Sequence, residues 1–233
     1  MLVMIPGWAM HRGVWSDWAQ SLSKFFQVTM VDLPGHGSSA PWQKMTLENI
    51  AQSLASSVDG KVIWLGWSLG GLIALQLARQ YPQSTAGIVL VSSNACFLQK
   101  QDWPGVSTSW FNQFREALRG DAGAALKRFI GMVAGGKSQT RKLRALWHQY
   151  SAPPLETLLQ GLDILAFTDG REALKGLHCP VTLMVGDDDP LIPVAAIHSM
   201  SGLVPNCRTL TLNDAGHAPF LTHSQQMTQA LIQ

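Results

Sequence analysis

Apolar residues along this chain recur in two rhythms. Short unbroken runs at 2–5 (LVMI), 27–31 (QVTMV), 61–65 (KVIWL) and 87–91 (GIVLV) predict strands buried on both faces. Between them, stretches near 16–24, 46–57 and 69–80 carry apolar residues at helical spacing. Strand, helix, strand predicts a parallel sheet. After VSSNACF the rhythm changes: from about 100 to 170 the chain shows helical stretches broken by Gly135-Gly136 and Pro153-Pro154, and no strand. The first rhythm then returns with VTLMV (181–185), a helix near 194–201, RTLTL (208–212) and a last helix from about 222. The expected fold class is α/β, a mostly parallel central sheet flanked by helices, with residues 1–98 and 171–233 forming the core and 99–170 a helical cap insertion.

The junction of the third strand with its following helix carries the first candidate chemistry. Residues 64–78, WLGWSLGGLIALQLA, set Ser68 between Gly66 and Gly70. A G-x-S-x-G turn flanked by strand and helix exposes the hydroxyl, and it needs small residues two positions away on each side because the turn is so tight. A free serine hydroxyl is a poor nucleophile and requires a base and an acid that orients it. Both types follow in order, each just past a strand: Gly186-Asp187-Asp188-Asp189-Pro190, then Asn213-Asp214-Ala215-Gly216-His217-Ala218-Pro219. Of the seven histidines, His217 is the expected base; His36, in DLPGHGSS, is expected to be structural, and His11, His148, His178, His198 and His223 to lie at the surface or in packing. Three consecutive aspartates leave the acid open on chemistry alone. An oxyanion hole needs two backbone N–H donors: Leu69, after the serine, supplies one, and Trp8, in the Pro6-Gly7-Trp8-Ala9 loop after the first strand, is assigned the other.

Composition narrows the classes. With 233 residues, 46% hydrophobic and 14% charged, the chain has enough apolar material for one sizeable domain with an insertion, not a disordered segment. No run reaches a membrane-spanning length, and MLVMIPGW lacks the basic start and small-residue cleavage site of a signal peptide, so a cytoplasmic protein without membrane contact is expected. Cys96, Cys179 and Cys207 form no CxxC pair and have no histidine at ligand spacing; they read as small buried hydrophobes, with no metal site. The net charge of +2 divides unevenly: residues 115–144 stand at +6 and the remainder at −4. Such a local field favours an acidic partner, with a solvated helical face as the alternative.

Elbow, acid turn, histidine loop and oxyanion loop in this order resemble the α/β-hydrolase superfamily along nearly the whole chain, and DLPGHGSS at 32–39 is a further marker. The resemblance selects Asp189, three residues after the glycine and followed by Pro-Leu-Ile-Pro, as the acid. A narrower resemblance, to the pimeloyl-[acyl-carrier protein] methyl ester esterases of biotin synthesis, is carried by IWLGWSLGGL, CF followed by DWPG at 102–105, RF at 128–129, GLDIL at 161–165 and AGHAPF at 215–220. It implies a triad of Ser68, His217 and Asp189, no cofactor, and substrate contacts at Trp8, Ser68, Leu69, Phe129, Ile130, Gly131, Met132, Val133 and His217. It also implies a transient acidic partner, the acyl-carrier protein, docked on Arg128, Arg141, Lys142 and Arg144 of a monomer that binds no nucleic acid. Two features depart from the pattern: the usual His-Gly of the oxyanion loop is Pro6-Gly7, and the chain begins at the strand that relatives generally precede with an antiparallel hairpin. The competing expectations are a general short-chain carboxylesterase, a lyase of menaquinone synthesis, against which the DWPG and RF matches argue, and a ligand receptor on a hydrolase fold.

Overall fold

The apolar runs pair into one sheet in a computed structural model that describes residues 1–232. Strands β1 (Leu2–Ile5), β2 (Val28–Met30), β3 (Val62–Trp67), β4 (Thr85–Val91), β5 (Val181–Gly186) and β6 (Cys207–Leu212) lie in the order β2-β1-β3-β4-β5-β6. Every neighbouring pair is parallel. β1 is buried throughout, and β3 and β5 at all but one position, which is why they read as unbroken apolar runs; the edge strands β2 and β6 are mostly half-buried or exposed. The chain leaves β1 toward β2 on one side and β3 toward β4 on the other. The gap between β1 and β3 is therefore the topological switch point, where the loops at the strand C-termini part and leave a crevice.

Helices α1 (Ser16–Leu22), α2 (Leu47–Ser56) and α3 (Leu69–Gln80) connect the first strands, and α8 (Arg171–Lys175), α9 (Val194–Ser201) and α10 (Ser224–Ile232) serve the second half. Residues 69–78 of α3 are buried without interruption, so this helix is the centre of the molecule as well as the support of Ser68. Between β4 and β5 the chain inserts four helices, α4 (Thr108–Gly120), α5 (Ala122–Ala134), α6 (Lys137–Trp147) and α7 (Leu155–Phe167). Local chemistry sets their ends. The Ser107 hydroxyl accepts from the Trp110 amide (3.1 Å) and the Asp121 carboxylate from the Ala124 amide (2.9 Å), while Gly135, at φ 74°, ends α5.

The DWPG stretch belongs to the root of this insertion. Trp103 donates its indole N–H to the Asn94 side-chain oxygen (2.7 Å), and the Asn94 amide donates to the Pro104 carbonyl (2.9 Å). On the returning strand the Gly170 amide donates to the Ala95 carbonyl (2.7 Å), and Arg171 pairs with Asp102 (3.1 Å) and Asp169 (2.8 Å). The entering and leaving segments are thus stapled together. All three cysteines are free; Cys96 is buried as expected, whereas Cys179 and Cys207 are only half-buried. Among the described residues no helix is long and apolar enough to cross a membrane.

Candidate active site

Ser68 stands at the C-terminal end of β3 with φ 54° and ψ −117°, a backbone conformation that costs a non-glycine residue free energy and persists only where the surroundings enforce it. Three contacts enforce it here: the Ser68 amide donates to the Val91 carbonyl (2.9 Å), and the Ser68 carbonyl accepts from the Gly71 amide (2.9 Å) and the Ser93 hydroxyl (2.8 Å). A Cβ on Gly66 would strike the Gly70 carbonyl, and one on Gly70 the Ile5 carbonyl. The two glycines of the motif are therefore required by close backbone approach.

His217 and Asp189 meet just past the C-terminal ends of β6 and β5. Both side chains are fully buried, and His217 Nδ1 lies 2.9 Å from each Asp189 carboxylate oxygen. A carboxylate accepts, so Nδ1 carries the proton and donates, and Nε2 presents its lone pair. Nε2 is buried and has no hydrogen-bond partner among the described residues. Asp189 Oδ1 also accepts from the Leu191 and Ile192 amides (2.9 and 3.0 Å), which fixes the carboxylate, while the flanking residues Asp187 and Asp188 are exposed. Burial thus separates three aspartates that composition leaves equivalent. The His217 backbone is held from the nucleophile's side, because Trp67, one residue before Ser68, donates its indole N–H to the His217 carbonyl (2.7 Å). His36 lies elsewhere: its Nδ1 donates to the Pro34 carbonyl (2.9 Å), and burial pushes its pKa below the ordinary histidine value.

The loop after β1 brings Trp8 to the switch point beside the N-terminus of α3. Neither the Trp8 amide nor the Leu69 amide has an acceptor among the described residues, which leaves both free to bind an anionic oxygen. The Trp8 indole N–H donates to the Leu158 carbonyl of α7 (2.8 Å), and the ring lies so close to Gly161 that a Cβ there would fall 2.7 Å from it.

Above Ser68 the insertion closes an apolar cavity lined by Trp8, Phe97, Trp110, Phe111, Phe114 and Phe129, with Leu162, Leu165 and Leu191 completing it. It is tight, with about 20 Å³ open to the centre of a water molecule. Of the five consecutive α5 positions expected to contact substrate, only Phe129 faces it. Ile130 and Gly131 do not because consecutive residues are spread around the axis, while Met132 and Val133, on the same face as Phe129, lie one turn further along the helix and do not line the cavity. Ile130 and Val133 are buried in the core, Met132 is packed partly against it, and Gly131 opens onto an outer groove with Arg141 and Arg144. The residues that sequence reasoning missed, Trp110, Phe111 and Phe114, carried a usable signal in their i, i+1, i+4 spacing behind a serine cap. A larger groove between α2, α3 and α7, about 890 Å³, contains neither Ser68 nor His217.

Arg128 and Arg141 are exposed and carry no ion pair among the described residues. Lys142, also expected to dock the partner, is exposed and pairs with Asp17 of α1 (2.6 Å), which ties the insertion to the core. Arg144 is half-buried and donates to the Lys127 carbonyl (3.4 Å). Among the described residues no group of three or more His, Cys, Asp or Glu side chains could hold a metal ion.

The model of the alpha/beta hydrolase fold family matches residues 1–224, and the chain belongs to that family. Over its full length it is similar to proteins named pimeloyl-[acyl-carrier protein] methyl ester esterase. That of Xylella fastidiosa strain 9a5c is 38% identical over 238 residues, with 99% of this chain and 92% of the relative covered. That of Sodalis glossinidius is 36% identical over 234 residues, covering 99% and 91%. This chain is thus an esterase-family member and groups with those proteins. Solved structures share the fold at lower identity: an esterase from Exiguobacterium antarcticum superposes with a TM-score of 0.89 at 20% identity (99% of this chain, 90% of that one), and a thermophilic esterase from Thermogutta terrifontis with 0.82 at 24% (99% and 87%).

Proposed function

We propose that this chain is a serine carboxylesterase that hydrolyses the methyl ester of pimeloyl-[acyl-carrier protein] in biotin biosynthesis. The observation that carries the chemistry is the fully buried Asp189–His217 pair with Nε2 unpartnered, tied through the Trp67–His217 bond to the residue before the strained Ser68. The full-length relatives support the substrate. His217 Nε2 takes the proton of Ser68 as the hydroxyl oxygen adds to the ester carbonyl, while Asp189 holds the imidazole tautomer and stabilises its positive charge. The Trp8 and Leu69 amides receive the oxyanion. Collapse of the tetrahedral intermediate expels methanol, which takes the proton back from His217. Water, deprotonated by the same imidazole, then releases the pimeloyl carboxylate and restores Ser68.

The aromatic cavity, with Trp110 and Phe114 stacked at 5.5 Å in its wall, suits the apolar part of the acyl chain. The exposed Arg128 and Arg141, with Arg144 beside the outer groove, suit the acidic carrier protein, and distance discriminates between the two ends of the substrate: the carrier stays outside and only the distal ester reaches Ser68. A cytoplasmic monomer acting on a transient partner belongs to the same proposal. The deciding experiment compares methyl-pimeloyl carrier protein with a small p-nitrophenyl ester, each at low and high salt. Salt-sensitive turnover of the carrier substrate beside salt-insensitive turnover of the small ester is expected. Turnover of the small ester alone would leave a general carboxylesterase.

A further inference from the structure

Two consecutive residues of the insertion hold the proposed oxyanion loop, at Ala9 and at His11. Trp147, at the C-terminal end of α6, donates its indole N–H to the Ala9 carbonyl (2.9 Å). Ala9 is the residue after Trp8 and has φ 61°, a left-handed conformation that an alanine does not adopt unforced. The residue before Trp147 makes a second link: the Leu146 carbonyl lies 2.9 Å from His11 Nε2. His11 Nδ1 accepts from the Gly13 amide (3.1 Å), so the proton of its neutral ring sits on Nε2 and is donated to Leu146. Nothing in the core supplies an equivalent donor to the Ala9 carbonyl among the hydrogen bonds of the described residues. The loop that presents the Trp8 amide is closed by its own turn bond from the Met10 amide to the Gly7 carbonyl (3.2 Å) and tied to α7 through the Trp8 indole, and α6, the helix that also carries Arg141 and Arg144, alone holds the Ala9 carbonyl.

We infer that Trp147 is a positioning residue for the oxyanion hole: its indole N–H holds Ala9 in the left-handed conformation that aims the Trp8 amide, so that seating of the insertion sets transition-state stabilisation at Ser68. This rests on the Ser68 and Trp8 roles proposed above. Because an oxyanion donor is used chiefly in the transition state, a displaced loop lowers kcat and leaves KM nearly unchanged.

The test uses the full-length protein, a small p-nitrophenyl ester and a trifluoromethyl ketone. Ser68 adds to the ketone carbonyl and its proton passes to His217, which leaves a hemiketal oxyanion in the hole. Trp147→Phe keeps the ring and removes the donor; about a fivefold to tenfold fall in kcat is expected, the scale of one lost neutral hydrogen bond. KM should stay within about twofold, and the affinity for the ketone should fall by a factor like that of kcat. His11→Phe, which breaks the neighbouring link, should give a smaller loss of the same kind. Unchanged kcat and ketone affinity in both variants, with only the melting temperature lowered, would reduce the contact to fold stability and overturn the inference. A loss confined to KM would do the same. Ser68→Ala is assayed in parallel: full activity there overturns the catalytic assignment itself, whereas an inactive Ser68→Ala beside unimpaired Trp147→Phe overturns this inference alone.

Discussion

Trp67 is the residue through which the strand that ends at Ser68 holds His217. Its N–H supports the His217 carbonyl, and its ring packs against Phe220 (5.0 Å) and would lie 3.1 Å from a Cβ at Gly7, in the loop after β1. Trp67→Phe should preserve the packing and lower kcat/KM by about fivefold to tenfold, measured on a small ester. Asp189→Asn should lower kcat by about 10³ to 10⁴ because the buried imidazole loses the partner that fixes its tautomer and stabilises its charge; a fall below tenfold would exclude the assigned role. His36 gives a pH signature of another kind. Its folded pKa lies below the ordinary 6.5, so the unfolded chain binds the proton first, and stability declines as pH falls through 6.5 toward the folded value. Melting temperatures from pH 5 to 8 should therefore drop on the acid side in the native sequence and more weakly in His36→Asn. Ser68 and His217 were legible because their spacing from strands and glycines is a local property. The Lys142–Asp17 pair was not legible, because its partners are remote in sequence and no local pattern marks a long-range ion pair.

Elements were legible where a strand is buried on both faces or a helix begins at a polar cap, and boundaries moved by a residue or two as ladders ran on: the run expected to end at 65 continues to Trp67. Which side of an inserted helix meets the substrate was not legible, since that depends on how four helices settle over the sheet. Of the block 129–133 only Phe129 lines the cavity, and Gly161 shows how tightly the inserted helices settle: α7 approaches Trp8 so closely that only a glycine fits. Gly161→Ala should force the Trp8 indole or α7 to shift, with a cost of about 1–3 kcal/mol in denaturant unfolding and reduced esterase activity. Arg171→Ala should release the staple between the entering and leaving segments of the insertion and lower the melting temperature; an unchanged transition would mean that the Asn94–Trp103 contacts hold the root unaided.

At the scale of the molecule the charge asymmetry was visible in the sequence, although its free part is smaller than the count. Arg115 is engaged by Asp163 (2.6 Å), Arg119 by Glu116 (2.6 Å) and Lys142 by Asp17 (2.6 Å), so the outward field comes mainly from Lys127, Arg128, Lys137, Arg141 and Arg144. Reversing Arg128 and Arg141 to Glu should cut kcat/KM for the carrier-linked ester and flatten its salt dependence while sparing a small soluble ester. Equal losses on both substrates would contradict a docking role.

The division of the chain between sheet and insertion bears on how such enzymes can be redesigned. Ser68, Asp189 and His217 stand at the ends of strands of the sheet, whereas Trp110, Phe111, Phe114, Phe129, Leu162 and Leu165 of the cavity wall all come from three of the four inserted helices, α4, α5 and α7. Substrate range and chemistry look separable on that basis, and transplanting a foreign set of helices between β4 and β5 would be the natural way to change one without the other. The tryptophan bonds from Trp8 to Leu158 and from Trp147 to Ala9 set the terms of that exchange. A transplant chosen for its cavity alone would arrive without its half of these two fastenings, and the recipient would recognise a new ester that it turns over slowly.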